Sequence, residues 1–241
     1  GDIFLHNDPT YDGSHLPDVC MYKPVFFEDE LVFWVVSKGH MVDVGGPVPG
    51  SYNPDAKEIY AEGLRIPPIR LVDKGVMRED ILNMILTNFR SRKMQAGDMN
   101  AQMGAISVGE KRLLDILQRH GLQTVKACIE ELLNSAERHM REKIRALPDG
   151  TYPSTVLAED TGHGRGHQTL EADIIVSGES IKIALNSPPQ LDFFTNSYRS
   201  NTLSGVYCGL LMWAQVQPPF NEGLYRPIEV DFGPPATMMN A

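Results

Sequence analysis

The chain has 241 residues, 42% of them hydrophobic, which is enough to bury one large core or two small ones. Its formal charge of -9, with no Lys/Arg cluster, argues against nucleic acid as a partner. Cys20, Cys128 and Cys208 are odd in number, scattered and outside any Cys-x-x-Cys arrangement. With no apolar run of membrane-spanning length and no opening signal peptide, they point to free thiols in a reducing cytoplasm and to no membrane partner.

Residues 1–5 open as a strand, and a polar stretch then runs to Asp18. Residues 25–36 are apolar except at Glu28-Asp29-Glu30, which predicts a β-hairpin with strands over 25–27 and 31–36. A hairpin closes its two ends on each other, so the segment with His15 and Asp18 comes back beside His40 and Asp43. Two imidazoles and at least one carboxylate at a sheet edge are a chemically suitable nest for a divalent metal. Pro17 stiffens the link between His15 and Asp18. The competing reading is a loop network in which each histidine donates to a carboxylate or backbone carbonyl.

Glycines and prolines over 43–52 predict a loop, 58–60 a short strand or helical turn, and Pro67-Pro68 an extended chain. Ile81, Met84, Ile85 and Phe89 lie on one face of a predicted helix. A second helix is expected over 98–120, stopped by Gly121, and a third over 124–147. The third carries a stripe of Val125, Cys128, Ile129, Leu132, Leu133, Ala136, Met140 and Ile144. His120 and His139 read as cap or surface residues. Beyond residue 151 the period shortens. A hairpin is expected over 172–176 and 181–185, then a last helix over 201–215.

This succession predicts an α+β fold, with mixed β-sheet regions flanking a central helical segment. A boundary near 148–150 would separate a metal-site β-region plus helical segment (1–150) from a hairpin/helix subdomain (151–241). The run Thr161-Gly162-His163-Gly164-Arg165-Gly166-His167 has the donors to wrap an anion, but a solvated loop is the preferred reading. No Gly-x-x-x-x-Gly-Lys-Ser/Thr and no Gly-x-Gly-x-x-Gly occurs, so nucleotide binding is expected on another polypeptide.

An ordered series of motifs carries a family resemblance. It comprises Asn7-Asp8-Pro9, Gly13-Ser14-His15-Leu16-Pro17-Asp18, His40-Met41-Val42-Asp43-Val44-Gly45-Gly46, Glu62-Gly63-Leu64-Arg65-Ile66-Pro67-Pro68, Asn88-Phe89-Arg90 and Asn221-Glu222-Gly223 with Arg226-Pro227-Ile228. Together they resemble the hydantoinase B/oxoprolinase family over nearly the whole chain. That family includes B subunits of ATP-dependent hydantoinases, 5-oxoprolinase, caprolactamase, and the related subunits of acetone and acetophenone carboxylases. Such subunits are longer on both sides, so a fragment, a split subunit or part of a longer polypeptide is expected.

The resemblance implies a multi-subunit, ATP-dependent enzyme. A hydantoinase A-like partner, within a hetero-oligomer, binds ATP and Mg²⁺ and phosphorylates a carbonyl-derived oxygen of a small-molecule substrate. The B-type subunit completes the reaction. It further implies a divalent metal, Zn²⁺ or Mn²⁺, on His15, Asp18 and His40, with Asp43 orienting His40 or a metal-bound water and Asp8 serving His15 in the same way. These four residues, His15, Asp18, His40 and Asp43, are the expected catalytic set. The run Ala184-Leu185-Asn186-Ser187-Pro188-Pro189-Gln190 departs from the Asp-Phe-Thr-Gly-Thr-Ser-Pro-Gln of many hydantoinase B subunits. On that ground the expectation leans to an acetophenone-type ketone carboxylase, ahead of a hydantoin, oxoproline or lactam hydrolase and of a non-catalytic scaffold.

Overall fold

The computed structural model describes residues 1–160, 163–217 and 219–241. Among these, four α-helices and two sheets make an α+β fold, in agreement with the sequence. The chain divides into two compact units: residues 1–125 with 192–194, and residues 126–191 with 195–241.

The first unit is built on a sheet of β1 (Ile3–His6), β2 (Asp18–Phe27), β3 (Glu30–His40), β4 (Ile69–Asp73) and β5 (Val76–Met77), in the order β3-β2-β1-β4-β5. Every neighbouring pair is antiparallel. The hairpin expected over 25–36 is longer than its apolar centre. Glu28 and Asp29 both take positive φ, 51° and 63°, and make a two-residue turn between β2 and β3. That geometry matches the right-handed twist of the flanking strands and fixes the register of the pairs next to the turn. A bulge then shifts the register by one residue, with Phe26 opposite Leu31 and Val25 opposite Phe33, and pairing continues outward until Asp18 stands opposite His40.

Alternation along β2 sorts its side chains onto two faces. Val19 and Met21 are fully buried. Lys23, two residues further on, reaches Glu110 of α2 (Arg92–His120) at 2.7 Å. Gln102 of the same helix donates to the Val19 carbonyl at 3.0 Å. Leu5, Leu71, Met99, Ile106 and Ile85 of α1 (Glu79–Asn88) complete this core. Burying aliphatic side chains of this size stabilises by roughly 1.5–3 kcal/mol each. The opposite face of the sheet carries Asp18, Cys20 and Tyr22, and the candidate site lies there.

The chain passes from the first unit to the second within α3 (Leu122–Arg145). Met140 and Ile144 of this helix are fully buried against the second sheet, whereas Cys128 and Leu132 of its predicted stripe are exposed. That sheet has the order β6-β7-β8-β9, from β6 (Gly150–Ala158), β7 (Gln168–Ser177), β8 (Ser180–Asn186) and β9 (Ile228–Asp231). The β8–β9 pair is parallel and the others are antiparallel. Leu210 of α4 (Arg199–Ala214) joins Val176, Ile181 and Ile183 in the core. No described helix is long and apolar enough to cross a membrane.

Candidate metal centre

The loop before β2 is held from three sides. Asn7 is fully buried; its amide donates to the carbonyls of Leu16 (2.8 Å) and Leu64 (2.9 Å) and accepts from the Ile66 amide (2.7 Å). One side chain thus ties the end of β1, the His15 loop and the 64–66 segment together, and leaving such groups unpaired would cost about 1–3 kcal/mol each. The Asp18 amide closes a turn on the His15 carbonyl at 2.9 Å, and the Met41 amide bonds the Pro17 carbonyl at 2.7 Å. The His15 loop is therefore stitched to the outgoing end of β3.

Asp18 is the centre of the cluster. His15 Nδ1 lies 3.1 Å from Asp18 Oδ2, and His40 Nδ1 lies 3.1 Å from Oδ1. The two imidazole centroids are 5.0 Å apart with the rings tilted by 33°. One ligand atom from each of the three residues falls within 4.8 Å of the others. Both histidines face solvent, at 49% and 62% side-chain exposure, while Asp18 is 15% exposed. An anchored carboxylate beneath two accessible imidazoles leaves an approach open from the solvent side.

Two further groups meet at Asp18. The Ser14 hydroxyl donates to Oδ2, and Lys38 Nζ lies 3.2 Å from Oδ2 and 2.6 Å from Ser14 Oγ. Burial opposes the charge on Asp18, but the Ser14 hydroxyl, both imidazoles and the Lys38 ammonium outweigh it and hold the carboxyl below its ordinary range. The donor set, two imidazole nitrogens and one ionised carboxylate, suits Zn²⁺ or Mn²⁺.

Of the expected site residues, His15, Asp18 and His40 come together and Asp43 does not join them. Asp43 is 3% exposed and is engaged elsewhere. Its Oδ1 accepts from the Gly45 amide (2.8 Å), and its Oδ2 accepts from the Gly50 amide (2.8 Å) and Arg90 Nη1 (2.9 Å). Those bonds hold its carboxyl low despite burial. The expected contact with the His40 imidazole is thus replaced by an organising role in the 43–51 loop. Asp8 likewise serves Thr10 and Arg65 rather than His15, with its Oδ2 2.8 Å from Arg65 Nη2.

Sequence reasoning passed over Ser14, Lys38 and Arg90. Lys38 was within reach, because a residue two positions before His40 on a strand shares its face. Arg90 was not, since nothing local links it to a loop more than forty positions earlier. Of the 161–167 run, Thr161 and Gly162 lie outside the described residues; the Gly166 amide donates to Asp160 Oδ2 at 2.9 Å.

Comparison with known proteins follows the same line. The caprolactamase subunit beta of Pseudomonas jessenii is 56% identical over 241 residues, which is all of this chain and 42% of that subunit. The acetophenone carboxylase delta subunit of Aromatoleum aromaticum is 29% identical over 203 residues, 79% of this chain and 30% of that one. The crystal structure of the ATP-dependent caprolactamase from Pseudomonas jessenii superposes with a TM-score of 0.96 at 56% identity, over 100% of this chain and 42% of that chain. The chain therefore spans less than half the length of these relatives. The family described as hydantoinase B/oxoprolinase matches residues 1–241 from end to end, and the chain belongs to that family.

Proposed function

We propose that this chain is the metal-bearing part of a B-type subunit in an ATP-dependent, multi-subunit enzyme that opens a cyclic amide. The observation that carries the reading is the 56% identity to a caprolactamase subunit across the whole chain, in which His15, Asp18 and His40 form one cluster. The lean to ketone carboxylation gives way here, because the acetophenone carboxylase subunit is 29% identical over 79% of the chain. ATP and Mg²⁺ belong to a hydantoinase A-like partner, in keeping with the lack of nucleotide motifs in this sequence. The free thiols Cys20, Cys128 and Cys208 suit a cytoplasmic setting.

A divalent ion bound here supplies Lewis acidity, polarising a carbonyl and lowering the pKa of a bound water. The protein's own groups prepare for that. His15 and His40 must present neutral imidazoles as ligands. Asp18, kept ionised by Ser14 and Lys38, offsets part of the ion's charge. The Lys38 ammonium adds positive charge beside the cluster, where an anionic oxygen of an activated substrate would be favoured.

Turnover by the assembled complex tests the reading. With ATP and caprolactam or a hydantoin, and with bicarbonate removed, ring-opened product and ADP are expected. Product formed from a ketone, and only when bicarbonate is present, would reverse the assignment in favour of a carboxylase.

A further inference from the structure

Two glutamines are buried on the face of α2 that packs against the first sheet. Gln95, Met99, Gln102 and Ile106 lie along this buried stripe, and the glutamines stand about two helical turns apart. Each amide donates to one backbone carbonyl: Gln95 Nε2 to that of Asp43, and Gln102 Nε2 to that of Val19 at 3.0 Å. No described residue is hydrogen-bonded to either Oε1. An amide left half-satisfied in a core is a cost that a methionine or leucine in its place would avoid. Packing alone therefore does not account for either glutamine.

Both carbonyls belong to the segments that carry the cluster. Val19 follows Asp18 and pairs with Gly39, and on the next rung Asp18 pairs with His40. β1 pairs with β2 only as far as Cys20, and β3 is the edge of the sheet. At Asp18 and Val19, then, β2 and β3 have only each other, and such strand ends are prone to fray and twist. Gln102 restrains both strands from the helix side. On β2 it holds the Val19 carbonyl. On β3 it lies over Gly39, where a Cβ would stand 2.6 Å from Gln102 Nε2 and 3.1 Å from its Cδ. Side chains alternate across a strand, so gripping this rung from one face sets the angle at which Asp18 and His40 leave the other. Gln95 adds a second hold on the same chain beyond His40, at Asp43.

We infer that Gln102, with Gln95, is a positioning residue for the cluster: through Val19 and Gly39 it holds β2 and β3 at the separation and twist that set Asp18 against His40. Its consequence for an ion rests on the metal centre proposed above. Gln102 touches none of the three ligands; it acts through the backbone behind them.

The test uses the full-length subunit in its complex and two variants that release the grip by different routes. Gln102→Met fills the same space without a donor. Gly39→Ala puts a methyl group where the Gln102 amide lies, and only that flexible side-chain end has to move aside. Affinity for Co²⁺ is read by chelator competition and ligand geometry by visible absorption, neither of which needs turnover. Both variants are expected to bind Co²⁺ about tenfold more weakly, with a shifted absorption band, the lower end of what groups behind metal ligands contribute. The thermal midpoint of Gln102→Met is expected to hold or rise, since the half-satisfied amide is gone. In a Gln102→Ala background, which leaves room for the methyl group, Gly39→Ala should add no further loss. Unchanged Co²⁺ affinity and spectrum in both variants, additive losses, or a loss that merely tracks a falling midpoint would each overturn the inference while the metal reading stands. A wild type that binds no Co²⁺ overturns the metal reading instead. Carbethoxylation of His40, followed by peptide mass spectrometry, then decides the positioning role without an ion. Its rate relative to the exposed His120 and His139 is expected to change in both variants, and an unchanged rate overturns the inference.

Discussion

Asp18 and Asp43 are both aspartates held low in pKa, yet they do different work. Asp18 is ringed by groups that a cation could replace or join: two imidazoles, a hydroxyl and an ammonium. Asp43 is ringed by three backbone amides and a guanidinium that fix a loop. Replacing Asp43 by Asn removes the charge and aims an amide group at donors. It is expected to destabilise the fold by on the order of 3 kcal/mol while His15, Asp18 and His40 remain clustered. Its folded pKa lies below the ordinary carboxylate value, so its contribution is fully present above about pH 4 and fades as pH falls through the depressed value. Urea unfolding of wild type and Asp43→Asn should thus differ by a constant amount near neutrality and converge in acid. A difference that persists unchanged below pH 3 would mean the carboxylate charge is not what stabilises the loop.

At the scale of elements, the β2–β3 hairpin explains why so much of the cluster was readable. Its turn and strands are contiguous in sequence, and the turn at Glu28 and Asp29 together with a one-residue bulge at Val25/Phe26 sets the register in which Asp18 and His40 meet. Its ends were underestimated because they are polar and give no apolar alternation. The same reasoning fails for β6. All but the last of its nine residues are exposed and Pro153 lacks an amide donor, so it carries no core-facing period and is specified by pairing with β7. The open aromatic groove over Phe4, Tyr22 and Trp34 was unreadable for another reason. Its walls come from β1, β2, β3 and two loops, and only the pairing of β1 with β2 brings His6 over Tyr22. The hairpin turn itself offers a measurement. Glu28 and Asp29 are non-glycine residues at positive φ, a conformation that costs roughly 1–2 kcal/mol for most side chains and little for Asn or Gly. Glu28→Asn with Asp29→Gly is expected to raise stability by about 1 kcal/mol, seen as a higher denaturant midpoint at constant slope. A lower midpoint would show that these carboxylates make contacts worth more than the backbone strain.

At the scale of the molecule, ligand chemistry and reaction chemistry separate. Two histidines and an aspartate can serve carboxylation or ring opening equally well, so His15, Asp18 and His40 were legible as a cluster without revealing any reaction. The distinction rests instead on features spread over the chain, which is why whole-chain identity to a lactam-opening subunit outweighs one departing motif at 184–190. The chain spans 42% of that relative. The reading nevertheless turns on one local proposal, that the three side chains bind an ion. The direct measurement is the metal content of the purified full-length complex by inductively coupled plasma mass spectrometry, for wild type and for Asp18→Ala, His15→Ala and His40→Ala, with circular dichroism of each. About one Zn²⁺ or Mn²⁺ per subunit is expected in the wild type. It should be lost in Asp18→Ala and reduced by at least about 10-fold in affinity in either histidine variant, with unchanged spectra. A folded Asp18→Ala subunit that retains its full complement of metal would contradict the assignment.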